Sequence, residues 1–228
     1  MGVLVDSSYI KYLKNTLDKE NKIDDCVVHK AINCQAMNIL INDKHVDCYC
    51  CLVPFLKHLN MGVAWADTKF RSLAHFYNPT INRGLPFLKN ALTLAKNYYS
   101  MAQNSIRANI DKALFFLGAT AHLIQDMTVP QHANRNLFGN HYQFEKYIQD
   151  TYFLKDFSVH NNGKYNLSVE QYLKSNAEFA LSVMVECKQI EDHFTRYFEI
   201  SKRIIPLAQR TTAGLFYEFY KEIIAYCK

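Results

Sequence analysis

Residues 106–127 read IRANIDKALFFLGATAHLIQDM, and this stretch decides the fold class. Ile110, Ala113, Leu114, Leu117 and Ala121 recur at spacings of three and four, the repeat of one face of an α-helix. The same spacing runs through most of the chain. It predicts a first helix holding Ile10, Leu13 and Leu17 behind Ser7 or Ser8, and a second from about Val27 to Ile41 capped by Asp24 or Asp25. A third is expected from Val46 to Met61, kinked at Pro54 and stopped by Gly62. Pro86 is placed to open the next, with Leu88, Ala91, Leu92, Ala95 and Tyr99 on one stripe. Val129-Pro130 should end the helix of residues 106–127, and another should start near Asn140 after a loop through Gly139. Ser168-Val169-Glu170-Gln171 has the form of a capping box for a helix reaching about Lys188, and the last quarter reads as two helices divided near Pro206.

Composition agrees with an all-α chain. Only 7 glycines and 5 prolines occur in 228 residues, too few for the many turns of a barrel or sandwich. Hydrophobic residues make up 49% and charged residues 21%, which excludes disorder. No repeat or linker-like segment divides the sequence, so residues 1–228 are expected to form a single multi-helix bundle domain. No apolar run approaches the roughly 18 residues of a membrane span. The opening apolar run is broken at Asp6, too early for a signal peptide. The net charge of +5 is compatible with phosphate-bearing partners without selecting one. Seven cysteines cannot all pair in disulfides, which points to a reducing or anaerobic setting.

The chemistry concentrates after Ala121. His122 and Asp126 are four apart near the end of one helix, so both project from one face. His141 and Glu145 repeat the spacing at the start of the next, and His132 lies in the loop between. Imidazole and carboxylate at helical spacing on adjoining helices is how bundles build interior metal sites, and nitrogen and oxygen donors suit a catalytic zinc. One such pair is weak evidence; five candidate ligands across a chain reversal are stronger. Upstream, Asp67 and His75 sit in a long irregular stretch between Gly62 and Pro86, where functional groups tend to gather. His29 opens the second helix.

Together these residues resemble the bacterial zinc-dependent phospholipase C family. The likeness covers His29, the Asp67 and His75 segment, the block from His122 to Glu145, and Ala208-Gln209-Arg210-Thr211-Thr212-Ala213-Gly214. It implies one zinc held by Asp67, His75, His122 and Asp126, and a second by His132, His141 and Glu145. A third would sit near His29, with Asp126 as a bridge. It also implies a phospholipid substrate at a membrane or micelle surface, cleaved at the glycerol–phosphate ester to diacylglycerol and a phosphorylated head group. Asp67 is the candidate to orient or deprotonate the attacking water.

The sequence departs from the family in three places. The terminal tryptophan that completes the family's third zinc site has no counterpart, since the only tryptophan is Trp65. Cys26, three residues before His29, is a weak candidate to replace it. Thr68 and Ser72 stand where choline-preferring members carry aromatic residues, and Asp67 and His75 are closer together than in well-known members.

The resemblance implies a secreted protein and the cysteine count a reducing one, so the compartment stays open. The catalytic match reaches Gly214 of 228, so the membrane-binding domain of the toxin members is not expected. A related fungal-type single-strand nuclease shares the three-zinc scaffold, but it carries Asp where Glu145 stands, so no nucleic-acid partner is expected. A non-enzymatic protein retaining the zinc site is the remaining alternative. His45, His58, His160 and His193 read as surface or satisfied histidines, and Cys48-Tyr49-Cys50-Cys51 as part of an ordinary helix.

Overall fold

The computed structural model describes residues 26–135 and 141–227. The expected first helix, the Asp24 or Asp25 cap and the loop through Gly139 lie outside them. The described chain is all-α. In order it runs α1 (Val27–Asn42), α2 (Val46–Leu52), α3 (Leu56–Ala66), α4 (Ala91–Ser105), α5 (Ile110–Asp126), α6 (Pro130–Asn134), α7 (His141–Thr151), α8 (Val169–Glu186) and α9 (His193–Cys227). Short 3-10 turns at Val53–Phe55 and Lys69–Ala74 flank α3, and one isolated antiparallel bridge joins Asn78 to Arg83.

Helix α5 is the axis. From Ala113 onward all but Phe115 are buried, so it is apolar nearly all round, as a central helix must be. Helices α3 and α4 pack on it, with α8 and α9 closing the other side. The α3–α5 crossing is unusually close, and two glycines make it so. A Cβ on Gly62 would stand 1.8 Å from the Phe115 carbonyl oxygen, and one on Gly118 2.0 Å from that of Leu59. Gly62 therefore does not stop a helix, as its sequence context suggested. It lies inside α3 to permit contact with α5, and the helix continues to Ala66, delivering Asp67 as its C-cap.

Other boundaries moved for similar reasons. The segment expected from Val46 to Met61 is two helices broken around Pro54, where a 3-10 turn absorbs the missing backbone donor. Helix α4 begins at Ala91 and not at Pro86, because the Asn90 side chain accepts a hydrogen bond from Thr93 N at 2.9 Å and caps it. Leu88 is left exposed outside the helix. Helix α5 starts at Ile110 behind a second asparagine cap, Asn109. Pro130 does not merely end α5; it occupies the first turn of α6, where its fixed φ and absent N–H are tolerated, and Val129 before it is extended. His132 is thus helical. The Ser168 capping box is present, and α8 ends at Glu186, two residues before the expected Lys188.

Pro206 does not divide the last quarter, since α9 is one helix running through it. Ile204, Ile205, Leu207 and Ala208 on both sides are buried, and that packing outweighs the roughly 3 kcal/mol helix penalty of an internal proline. Ile204, Ile205 and Ala208 belong to a second apolar cluster that also takes in Ile32, Phe144 and Ile148.

Because the obstacle at Gly62 and Gly118 is backbone and not a movable side chain, alanine there forces the helices apart. Gly62→Ala or Gly118→Ala should each cost about 3 kcal/mol or more, lowering the melting temperature by roughly 6 °C or more in thermal unfolding.

Candidate metal centre

Asp126 is the last residue of α5 and is 3% exposed. A carboxylate cannot remain charged in a protein interior without compensation, and here imidazoles supply it. Its Oδ2 lies 2.8 Å from His75 Nδ1 and 3.1 Å from His122 Nε2, while Oδ1 lies 3.5 Å from His29 Nε2. His122 comes from the preceding turn of α5 and His29 from the first turn of α1. His75 ends the 3-10 turn after α3, and neighbouring backbone fastens its segment. Tyr77 N donates to the His132 carbonyl at 3.2 Å, and Ala91 N to that of Phe76 at 3.3 Å. Asp67 Oδ1 is 3.9 Å from His122 Nε2, and its side chain is partly open to solvent.

A second group forms where α6 meets α7. His132 Nε2, His141 Nε2 and Glu145 Oε1 stand 3.1, 3.2 and 2.7 Å apart. Phe76 packs against both rings, with centroids 4.8 Å from His132 and 5.8 Å from His141. All eight residues singled out in the sequence therefore converge. They make three sets, His29/His122/Asp126 and Asp67/His75/His122, which share His122, and a separate His132/His141/Glu145, each with donor atoms within 4.8 Å of one another. His45, His58, His160 and His193 join none of them. They contact Tyr217, Asp111, Gln35 and Arg196 instead.

The donor spacing is also compatible with a shared divalent cation. Tetrahedral zinc with bonds of roughly 2.0–2.1 Å to nitrogen or oxygen puts neighbouring donors about 3.3 Å apart. His122 Nε2 and His75 Nδ1 face each other at 3.3 Å. His75 Nε2, His122 Nδ1 and His132 Nδ1, the ring nitrogens turned away from the cluster, are buried with no hydrogen-bond partner among the described residues.

A polar network behind α1 was not anticipated from sequence. Gln125 Oε1 accepts from His29 Nδ1 at 2.8 Å, which leaves Nε2 as the bare nitrogen facing Asp126. Gln125 Nε2 donates to Asn33 Oδ1 at 2.9 Å and Thr212 Oγ1 at 3.1 Å, and Asn33 Nδ2 donates to Asn60 Oδ1 at 2.9 Å. Four elements thus orient one ring. The available signal was the position of Asn33 one turn after His29 and of Gln125 beside Asp126.

Six of the eight, His29, Asp67, Asp126, His132, His141 and Glu145, line a cleft of about 500 Å³. Apolar side chains line it too, among them Ile148, Ile204 and Ile205 from the second cluster.

The chain's sequence matches the zinc-dependent phospholipase C profile over residues 28–198. It belongs to the zinc-dependent phospholipase C family. Among solved structures it is similar to the alpha toxin of Clostridium absonum, with a TM-score of 0.74 at 18% identity. It is also similar to an alpha-toxin of Clostridium perfringens from an avian strain, with a TM-score of 0.70 at 17% identity. The likeness covers 86% of this chain and 63% of each toxin, and at such identity it establishes the fold. A search of curated proteins gives no match.

Electrostatics ties the cluster to pH. Burial alone would raise the Asp126 carboxyl, but the charges of His122 and His132 outweigh it and hold it well below the usual 3.8. Glu145 is likewise raised by burial and lowered more by hydrogen bonds from His132 and His141, to about 2. Burial lowers His29 and His75, whereas in His122 and His132 Asp126 overcomes burial and raises the imidazole above 6.5. Protonated His122 and His132 contribute stability fully below pH 6.5, and it is lost as pH climbs through their raised values. Ionised Asp126 and Glu145 contribute above their ordinary values of 3.8 and 4.5, and lose it as pH falls through the depressed ones. The metal-free protein should therefore gain most over Asp126→Asn between about pH 4.5 and 6.5. Paired thermal melts across pH 3–9, in roughly one-unit steps, check this, and an advantage still growing toward the alkaline end contradicts it.

Proposed function

We propose that this protein is a zinc-dependent phospholipase C that hydrolyses the glycerol–phosphate ester of phospholipids to diacylglycerol and a phosphorylated head group. The observation that carries the reading is one cleft lined both by clustered nitrogen and oxygen donors and by aliphatic side chains. A phospholipid presents a phosphodiester beside an apolar body, and this cleft has a surface for each.

Asp67, His75, His122 and Asp126 would hold one zinc, and His132, His141 and Glu145 a second. His29 and Asp126 would contribute to a third. Bound there, zinc acts as a Lewis acid toward phosphoryl oxygens and makes water more acidic. The remaining work belongs to side chains. Asp126 keeps its charge at any physiological pH and can face two cations at once, Oδ2 toward His75 and His122 and Oδ1 toward His29. Asp67, whose side chain is partly open to solvent, is placed to hold water against the phosphorus and take its proton. That proton ends on the glycerol oxygen as its bond to phosphorus breaks. Lys146, one residue beyond Glu145, adds positive charge at the cleft margin. Ile148, Ile204 and Ile205 keep water from the side where the glycerol and acyl chains would lie. Among the described residues no helix is long and apolar enough to cross a membrane, so lipid would be met at the surface of a bilayer or micelle.

Zinc-loaded protein should release phosphorylated head group and diacylglycerol from mixed micelles of phosphatidylcholine. Asp67→Asn should lower turnover by about 10²–10⁴-fold, with zinc content measured in parallel. Near-normal turnover in that variant overturns the role of Asp67. Cleavage of single-stranded DNA with none of phosphatidylcholine replaces the lipid reading with the nuclease one.

A further inference from the structure

Between His75 and α4 the chain makes a loop that plays no part in the chemistry described above. Ala91 N donates to the Phe76 carbonyl at 3.3 Å, so the segment closes on itself at its base. Asn78 and Arg83 pair in the antiparallel bridge, and the Tyr77 hydroxyl donates to Asn82 Oδ1 at 2.8 Å. The base is fixed to the metal centre, because Phe76 packs on His132 and His141 and lines the cleft.

Away from its base the loop is apolar where a soluble surface is normally polar. Phe87 is 107% exposed, Ile81 50% and Leu88 46%. With Pro86, Phe87 and Leu88 form a run of exposed apolar residues, a pattern that surfaces avoid unless function requires it. Phe87 also has a φ of 64°, which is uncommon and costly for a bulky side chain. The charge around this run has one sign. Between Asp67 and Asp111 the sequence has no acidic residue and six basic ones, Lys69, Arg71, Arg83, Lys89, Lys96 and Arg107. Arg83 and Lys89 flank the exposed run; both are exposed, and neither side chain is in an ion pair among the described residues. Helix α8 brings Glu170 to this part of the molecule, but Lys96 and Lys174 pair with it.

We propose that the loop of residues 76–91 docks this protein on an anionic lipid bilayer, with Phe87 and Leu88 entering the head-group boundary and Arg83 and Lys89 facing anionic head groups. The inference rests on the lipid reading of the cleft for its occupant, and names the surface at which that lipid is met. A stable contact with another protein takes roughly 20–30 residues a side, and three apolar side chains on one loop fall short of that. Interfacial lipid binding asks less, since burial of a few apolar groups and attraction of basic side chains to anionic lipid add together. No helix among the described residues can cross a membrane, so contact with a bilayer has to be of this interfacial kind. Phe76, at the loop's base, joins the docking element to the cleft.

Sedimentation with chilled, sucrose-loaded vesicles tests this on the zinc-loaded full chain. Wild type should bind vesicles of equal parts phosphatidylcholine and phosphatidylglycerol, and added salt should weaken the binding. Phe87→Asn keeps a residue that tolerates the left-handed backbone, and should lower partitioning about tenfold. Replacing Arg83 and Lys89 by glutamine should lower it about fivefold per charge and leave binding to pure phosphatidylcholine vesicles unchanged. No vesicle binding by wild type, or wild-type binding by Phe87→Asn, overturns the docking loop. Equal binding of wild type to the two kinds of vesicle, indifferent to salt, overturns the anionic surface. A wild-type dimer that Phe87→Asn dissociates overturns the lipid occupant in favour of a second copy of this chain. Hydrolysis of short-chain phosphatidylcholine below its micelle concentration needs no bilayer, so it separates the two readings in wild type. Hydrolysis without vesicle binding sinks the loop alone, and loop-dependent vesicle binding without hydrolysis sinks the phospholipase reading alone.

Discussion

A buried carboxylate, Asp126, constrains everything else in this molecule. It sits at the end of the most enclosed helix, where an uncompensated charge would be costly enough to unfold or neutralise it. Three imidazoles from three parts of the chain meet that demand. Each is then held by its own surroundings: His122 by its place on α5, His75 by the strapped loop, and His29 by Gln125. The donor atoms of each set also lie within 4.8 Å of one another, a spacing that a cation can share.

The helical frame follows from the same requirement. To place a charge at the centre, α5 must be surrounded, and helices surround it closely only where side chains are small. Gly62 and Gly118 bring α3 within backbone contact of α5. That contact also fixes where α3 ends, and so where Asp67 enters the cleft. The long α9 performs a different task. By running unbroken through Pro206 it brings Ile204 and Ile205 to the cleft and Thr212 to the Gln125 network. Scaffold and site are therefore one set of contacts.

Local regularities were legible in the sequence, and tertiary ones were not. The His122–Asp126 and His141–Glu145 pairs could be read because a spacing of four is a property of one helix, and the structure holds them at 3.1 and 2.7 Å. The Ser168 capping box is similarly local. His29, Asp67 and His75 were placed only through resemblance, because long-range convergence leaves no periodic mark. Gly62, Pro130 and Pro206 were each read as helix breaks. In each case the deciding fact was a distant neighbour or a position in the first turn, which composition does not encode. The Gln125–Asn33–Asn60 network escaped for the same reason: amides have no periodic signature, and their partners come from separate helices.

The most direct test of the account is anomalous diffraction at the zinc edge from crystals of the zinc-loaded protein. The account predicts separate peaks in two places, one among His75, His122 and Asp126 and the other among His132, His141 and Glu145. Crystals with zinc in the medium but no peak at either place would contradict it.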